Sequence, residues 1–367
     1  MSCSRKVVHL TSVHPRFDTR IFLKECVSLA ANGYSVSLVV ADGKGDETVN
    51  NVAVYDVGAS KGRLDRICNA PRRVLSKALK LDADLYHFHD PELMPIGLKL
   101  KKLGKKVIFD IHENTDLQIL TKEWIPRYLR KAISSVYSKY ETYACKKFDA
   151  LIVPQIAMYE KFSMFAKTEV IANFPTEVIK NVQYEDRSRF NLLYIGGLNK
   201  ARGLYNMLDL INHLSLIDAR YRLTLAGPFS PRDYAAAENH PGWSNTVYLG
   251  VLNRDEVYKI YGASSIGLIL FNNVGQYHMS YALKLFEYMQ CGLTVIMPDF
   301  GDWVSFNKNF SVGYNVSVCD PEAIAKLINN IQLSTLKDFF EHNSSIASKD
   351  FLWSSQEKKL SFLYRSL

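Results

Sequence analysis

Asn191-Leu-Leu-Tyr-Ile-Gly-Gly-Leu-Asn-Lys-Ala-Arg-Gly203 reads as a short apolar strand, a glycine-bearing turn, and then, from Leu204, a helical pattern. Backbone N–H groups at a helix start, with Arg202 beside them, make an anion site. A plain tight turn after a strand is the other reading of the same residues. The stretch lacks the G-x-x-x-x-G-K-[ST] of a P-loop, and no G-x-G-x-x-G suited to a dinucleotide fold occurs in the chain.

Toward the C-terminus, strand-like runs lie at Arg222–Ala226, Thr246–Leu249, Ile266–Leu270 and Leu293–Met297. Toward the N-terminus they lie at Val7–Leu10, Ser35–Val40, Leu85–Phe88, Lys106–Asp110 and Ala150–Val153. Helical spacing lies between them: Thr19–Ala31 sets Ile21, Phe22, Cys26, Leu29 and Ala30 on one face before Asn32-Gly33 stops it. This is βαβ grammar, run twice. It predicts an α/β protein of two Rossmann-like, doubly wound parallel-sheet domains, at residues 1–175 and 185–350, with a linker near Asn173–Arg189. Residues 351–367 form one amphipathic helix expected to cross back to the first domain. Such sheets bind ligands beyond the carboxyl ends of their strands, so the expected site is a cleft facing both.

Composition narrows the classes. The 367 residues are 47% hydrophobic and 22% charged, a globular balance. Lys+Arg number 45 against 37 Asp+Glu, and the excess of +8 falls wholly in residues 1–180, which hold 28 against 20. A basic half suits an anionic substrate, an anionic membrane or nucleic acid, and no RRM, zinc-finger or helix-turn-helix signature supports the last. Cys3, Cys26, Cys68, Cys145, Cys291 and Cys319 are scattered without C-x-x-C spacing, so they read as buried thiols of a reducing compartment. No apolar run approaches 18 residues, and a cytoplasmic protein is expected.

A second chemical signal is Ser280-Tyr-Ala-Leu-Lys-Leu-Phe-Glu-Tyr-Met-Gln-Cys-Gly292. Lys284 and Glu287 share one helix face, placing a cation for phosphate one turn from a carboxylate suited to ribose hydroxyls. A surface ion pair is the plainer alternative. In the first half, His89 and Asp90 continue an apolar run, so they are expected to face the cleft and to orient or deprotonate an acceptor hydroxyl; Asp90-Pro91 also reads as a turn cap. Asp18 and Arg20 open the first helix, where Asp18 also reads as its N-cap. His112 stands in an Asp-x-His-Glu setting at a strand end, with Glu113 beside it.

Together these segments resemble the GT-B family 4 glycosyltransferases. His14-Pro-Arg-Phe-Asp-Thr-Arg-Ile21, His87-Phe-His-Asp-Pro-Glu-Leu93 and Phe109-Asp-Ile-His-Glu113 resemble strand-end loops of its polysaccharide-assembling branch. Ala226-Gly227-Pro228 and Val247-Tyr-Leu-Gly250 resemble donor-domain turns. The resemblance implies transfer of a sugar from a UDP- or GDP-sugar to a hydroxyl, with retention of configuration and no bound metal. Asp82-Ala-Asp84 has metal-motif spacing but sits at the wrong end of its strand. The resemblance further implies donor binding by Gly196, Gly197, Arg202, Gly227, Lys284, Leu285 and Glu287, catalytic roles for His112, Arg202 and Lys284, and an acceptor side formed by Asp18, Arg20, His89, Asp90 and Glu113. Where the family often has Gly-Arg this chain has Gly196-Gly197, with Lys200 as the nearest replacement, and Met279 stands where a second Glu is common. A front-side mechanism is implied, in which the departing phosphate oxygen helps take the acceptor proton.

The segment Lys122–Lys147 carries seven Lys/Arg interleaved with Trp124, Tyr128, Ile133, Val136, Tyr137 and Tyr140. It is expected to rest on an anionic inner-leaflet surface, bringing the enzyme to a polyprenyl-diphosphate-linked glycan of O-antigen or capsule assembly. An ordinary helix packed on the first domain is the alternative. Two rival functions stay open: a nucleotide-sugar epimerase of similar architecture, separated by whether sugar reaches an acceptor, and an inactive nucleotide-sugar-binding partner protein.

Overall fold

The computed structural model describes residues 5–122, 124–176, 184, 187–279 and 281–367. Cys3, Ser280 and most of the linker read from the sequence (177–183, 185 and 186) lie outside the described residues. The chain divides into two compact units, one of residues 1–176 with 353–367 and one of 177–352.

The first unit runs β1 (Lys6–Leu10), α1 (Ile21–Cys26, continuing as Val27–Ala31), β2 (Ser35–Val40), β3 (Glu47–Val49), β4 (Val52–Asp56), α2 (Arg63–Leu81), β5 (Leu85–Phe88), α3 (Met94–Lys102), β6 (Lys106–Asp110), α4 (Thr115–Thr121), α5 (Arg127–Cys145), β7 (Ala150–Val153), α6 (Ile156–Phe162) and β8 (Thr168–Val170). The sheet order is β3-β4-β2-β1-β5-β6-β7-β8, parallel except for β3 against β4. Val/Ile/Leu-rich strands buried on both faces are what a parallel sheet covered by helices requires. Residues of alternating parity serve the two sides: Val8, Leu10, Tyr86, Phe88 and Phe109 join one core, whereas Val7, Leu85 and Ile108 join another. Gly97 is needed where α3 crosses, because a Cβ there would lie 2.7 Å from the Phe88 ring.

The second core is closed by the last helix, α14 (Trp353–Arg365), through Trp353, Leu360, Leu363 and Tyr364. Trp353 donates from Nε1 to Ser28 Oγ at 2.8 Å and from its amide to Pro175 O at 2.8 Å.

The second unit runs β9 (Ser188–Ile195), α7 (Leu204–Ile217), β10 (Arg222–Ala226), α8 (Pro231–Glu238), β11 (Thr246–Tyr248), α9 (Arg254–Ala263), β12 (Ser264–Leu268), α10 (Leu283–Gln290), β13 (Thr294–Pro298), α11 (Asp302–Phe310), β14 (Gly313–Val316), α12 (Pro321–Asn330) and α13 (Leu333–Asp350), which precedes α14. Its sheet is parallel, ordered β11-β10-β9-β12-β13-β14.

Most strands fall where the apolar runs put them. β12 starts two residues earlier than expected, with a register shift between Ser264 and Ile266. The strands β3, β4, β8 and β14 have no counterpart in the sequence reading; three of them, β3, β8 and β14, lie at sheet edges. In each sheet the order reverses between two central strands, β1 and β5 in the first and β9 and β12 in the second, and ligands of such sheets bind at that reversal.

Replacing Trp353 by Ala removes a large buried side chain and leaves Ser28 unpaired, so unfolding free energy should fall by about 3–5 kcal/mol. Urea unfolding checks this, with Trp353→Phe expected to recover most of the loss.

Candidate active site

In the second unit the reversal point is built from glycine turns. β9 leads into Gly196-Gly197, whose first glycine has φ +146°. A Cβ at Gly196 would lie 2.5 Å from Lys284 Nζ, and one at Gly197 would lie 3.0 Å from Arg202 Nη1. The two glycines therefore let two cations close onto the backbone. The turn after β10 packs behind: Gly227 has φ +129°, and a Cβ there would come 2.2 Å from Gly196 O. Asn199 accepts from the Arg202 amide at 3.0 Å and caps the 3-10 turn Lys200–Arg202 that leads into α7, and Lys200 itself is exposed.

Arg202 donates from Nε to Tyr277 Oη at 3.2 Å. Lys284, on the first turn of α10, is buried, and among the described residues its Nζ has no hydrogen-bond partner. It lies 3.3 Å over the Tyr194 ring and 5.5 Å from that of Phe271, cation–π contacts that substitute only in part for water. Burial first, and then the Arg202 charge, hold this amine well below the ordinary lysine value. A cation desolvated beside another cation is a site incomplete without an anion.

Glu287 comes one turn later, buried, with Oε1 accepting from Arg254 Nη1 at 2.8 Å and Oε2 from Tyr261 Oη at 2.9 Å. Each carboxylate oxygen keeps a second lone pair for a hydroxyl. Leu285 differs from the expectation: its side chain is fully buried and its amide is bonded to Ala282 O at 2.9 Å. Sequence reasoning missed Arg254, Tyr261 and Tyr277. Only Arg254 carries a local signal, as the first residue after the Asn253 cap of α9.

In the first unit the loops after β1, β5 and β6 converge. Asp90 is buried and accepts at Oδ2 from Thr11 Oγ1 (2.9 Å), Val13 N (3.2 Å), Ser12 Oγ (3.2 Å) and the Ser12 amide. Its Oδ1 meets His14 Nδ1 at 2.8 Å. Asp110, also buried, takes Arg20 bidentately, Nε to Oδ2 at 2.8 Å and Nη2 to Oδ1 at 2.9 Å, and accepts from His112 Nε2 at 2.8 Å and His89 Nδ1 at 3.2 Å. Burial alone would raise Asp110, but Arg20 and His112 outweigh it and hold the carboxyl well below its usual range. Beside it, burial and the Asp110 charge push Glu25 well above the usual carboxylate range.

These contacts correct two expectations. His89 is buried at the pocket wall, and burial lowers its pKa to about 4, so it is a neutral link between His9 and Asp110 and not a base that is charged near neutral pH. Arg20 is enclosed too, held by Asp110, by Glu25 at 3.2 Å and by Ile171 O at 2.9 Å. Asp18 caps α1, accepting from the amides of Arg20 (2.8 Å) and Ile21 (3.0 Å). Asp82 and Asp84 lie at the opposite edge, where Asp82 pairs with Lys105 and Asp84 accepts from the Lys6 amide.

Deeper still, the rings form a chain. Nδ1 of His9 meets His89 Nε2 at 3.0 Å, His9 Nε2 meets Tyr364 Oη at 3.1 Å, and Tyr364 Oη meets His87 Nδ1 at 2.6 Å. The ligand atoms of His9, Glu25, His87 and His89, and those of His89, Asp110 and His112, lie within 4.8 Å of one another, close enough for a metal. One tautomer set runs donors from His87 Nδ1 through Tyr364 and His9 to His89 and Asp110, while among the described residues His87 Nε2 and both Glu25 carboxyl oxygens have no hydrogen-bond partner. What opens outward is a pocket of about 650 Å³, in which His14, His112 and Glu113 stand over a floor of Met94, Phe109 and Ile111.

Comparison with known proteins decides the family. Residues 20–174 match the family model Glycosyltransferase Family 4, and residues 176–341 match Glycosyl transferases group 1. The chain belongs to the GT-B glycosyltransferases. As such it uses a nucleotide sugar and transfers the sugar to an acceptor. Similar solved structures include a sucrose-phosphate synthase from Thermosynechococcus elongatus (TM-score 0.78, 13% identity, covering 99% of this chain and 98% of that one). An α,α-trehalose 6-phosphate synthase from Burkholderia multivorans gives TM-score 0.72, 12% identity and coverage of 99% and 96%. An E. coli structure described as trehalose-6-phosphate bound with UDP-2-fluoro glucose gives TM-score 0.69, 15% identity and coverage of 98% of each chain. At these identities the likeness is one of fold. No curated protein matches this glycosyltransferase by sequence.

Because Lys284 is desolvated without a partner, Lys284→Met should leave the free protein as stable or more stable while abolishing its stabilisation by nucleoside diphosphates. The sign comes from the depressed pKa: the unfolded chain binds the proton more readily, so wild-type stability rises with pH toward 10.5, and the variant's should not. Thermal unfolding with and without nucleotide, across pH, checks both.

Proposed function

We propose that this glycosyltransferase moves a sugar, with retention and without a metal, from a UDP- or GDP-sugar to a hydroxyl of a polyprenyl-diphosphate-linked glycan in surface polysaccharide assembly, O-antigen or capsule. The observation that carries the reading is the unpartnered, buried Lys284 amine beside Arg202 at the two glycine turns. A leaving diphosphate needs positive charge and N–H donors where its own charge develops. Here the protein supplies two cations, so a metal is not required for that purpose. Retention, the front-side course and the pathway rest on the resemblance of the strand-end motifs. His112 supports the donor sugar in this scheme: Nε2 is committed to Asp110, so Nδ1 is left to accept from a sugar hydroxyl.

Placement at the inner face of the cytoplasmic membrane is part of the proposal, and α5 supports it. Its outward face holds Tyr128 (82% exposed), Val136 (69%) and Tyr143 (55%), preceded by Trp124 (63%), with Lys131 and Lys139 also exposed. A helix packed as an ordinary surface element would turn these apolar side chains inward. A second, apolar hollow of about 400 Å³, lined by Ala132, Ile133, Val136, Tyr137 and Tyr140, shares its two tyrosines with the larger pocket. A lipid chain leaving the sugar pocket has an apolar path along that face.

A thermal-shift screen against UDP, GDP, ADP, CDP and TDP, with and without magnesium, should find one stabilising nucleotide, indifferent to the metal. At 100 times its Kd it stabilises by about 2.7 kcal/mol. Flotation should carry the protein with liposomes containing anionic lipid and not with neutral ones, and Tyr128→Glu with Val136→Glu should abolish this. Equal flotation with both lipids would sink the membrane placement.

A further inference from the structure

Beside the two cations of the donor half, Arg202 and Lys284, stands a hydroxyl whose hydrogen is uncommitted, that of Tyr277. Lys200, the further cation that the sequence offered there, is exposed. We propose that Tyr277 donates its hydroxyl hydrogen to the departing diphosphate and is a catalytic residue of this glycosyltransferase, which rests on the transfer reaction proposed above.

The direction of one hydrogen bond carries the inference. A guanidinium only donates, so in the 3.2 Å contact between Arg202 Nε and Tyr277 Oη the tyrosine oxygen is the acceptor. Its own hydrogen is left over, and among the described residues it has no acceptor. Tyr194, the other phenol bonded to Arg202, differs: its hydroxyl donates to Gly197 O at 3.1 Å and has no hydrogen to offer. The uncommitted donor therefore lies where Arg202 Nη1 closes onto Gly197 and Lys284 Nζ onto Gly196. A hydrogen bond to an ionised acceptor is roughly twice as strong as one between neutral groups, so a phosphate oxygen wins this hydrogen from water.

The loop after β12 fixes the hydroxyl in place. Tyr277 O accepts from Nε1 of the buried Trp303 at 2.7 Å, and the next carbonyl, His278 O, accepts from the Asp302 amide at 2.8 Å. Gly301 permits that second contact, since a Cβ there would lie 1.9 Å from His278 O. The Tyr277 and Phe271 ring centroids are 4.9 Å apart, and Lys284 Nζ lies 5.5 Å from the same Phe271 ring. Arg202 follows β9, whereas Tyr277 and Lys284 follow β12, so all three stand beyond the two strands between which the sheet order reverses. A donor held in this way needs no reorganisation when charge develops.

The bond from the anomeric carbon to the phosphate oxygen breaks, and its electron pair leaves on the nucleoside diphosphate. The acceptor oxygen's pair forms the new bond, and its proton passes to the departing phosphate oxygen. Tyr277 gives up no proton. Its hydrogen bond strengthens as the phosphate gains charge, so it lowers the barrier more than it tightens donor binding.

The test measures nucleoside diphosphate release from UDP-, GDP-, ADP-, CDP- and TDP-hexoses, with octyl β-D-glucoside or water as acceptor. Tyr277→Phe keeps the ring on Phe271 and removes only the hydroxyl. It should lower kcat about ten- to a hundred-fold and leave the donor KM within about three-fold of wild type. An oxygen that served only to hold Arg202 would give a similar loss, so a second variant separates donating from accepting. Replacement of Tyr277 by 3,5-difluorotyrosine, assayed at a pH where the phenol stays protonated, makes the O–H a stronger donor and the oxygen a weaker acceptor. Its kcat should match or exceed that of the wild type. A Tyr277→Phe enzyme with kcat within about three-fold of wild type, or a difluorotyrosine enzyme that loses activity as Tyr277→Phe does, would overturn the assignment and leave the transfer reaction standing. A wild type releasing no diphosphate from any donor would overturn the transfer reaction itself.

Discussion

The carboxylate of Asp110 is the constraint around which the first domain is arranged. An unpaired buried charge costs several kcal/mol, so everything near it is recruited to compensate. Arg20 reaches it from the start of α1, His89 from the loop after β5 and His112 from the loop after β6. Through Arg20 the tail of β8 is tied in at Ile171 O, and through His9 and Tyr364 so is the last helix. The ring that reaches the pocket is therefore fixed by elements scattered from one end of the chain to the other.

The donor half uses the opposite device. There the charge is left uncompensated: the Lys284 amine is placed over aromatic faces, close to Arg202 and with no acceptor among the described residues. Two glycines make this approach feasible, since any side chain at 196 would occupy the amine's position. One domain spends its buried charge on rigidity, the other holds it ready for ligand.

Much of this architecture was legible because both sheets are parallel and covered. Their strands read as continuous apolar runs, and the runs at Ser35–Val40, Leu85–Phe88 and Ala150–Val153 are strands residue for residue. Glu47–Val49 and Gly313–Val316 were not legible, being short, partly exposed edges without such a run. The same burial that reveals a strand hides the orientation of the side chains just beyond its end. His89 and Asp90 continue an apolar run, and nothing local says that the first points to Asp110 and the second to His14. Those pairings join residues 21 and 76 positions apart in the chain. Likewise Arg254 and Tyr261 meet Glu287 only because α9 and α10 flank one sheet.

The opening of α1 is wound more widely than an α-helix: the amides of Leu23 and Glu25 reach back five residues, to Asp18 O and Arg20 O, at 3.1 and 3.0 Å. Such a segment holds one residue more than a regular helix needs. The wide turn absorbs that residue locally, so the helix on either side keeps the register a regular helix would have. Arg20, just ahead of it, stays on Asp110, and the apolar residues beyond it stay on the core. Losing a single codon there would give back regular winding and leave both ends of the helix where they are.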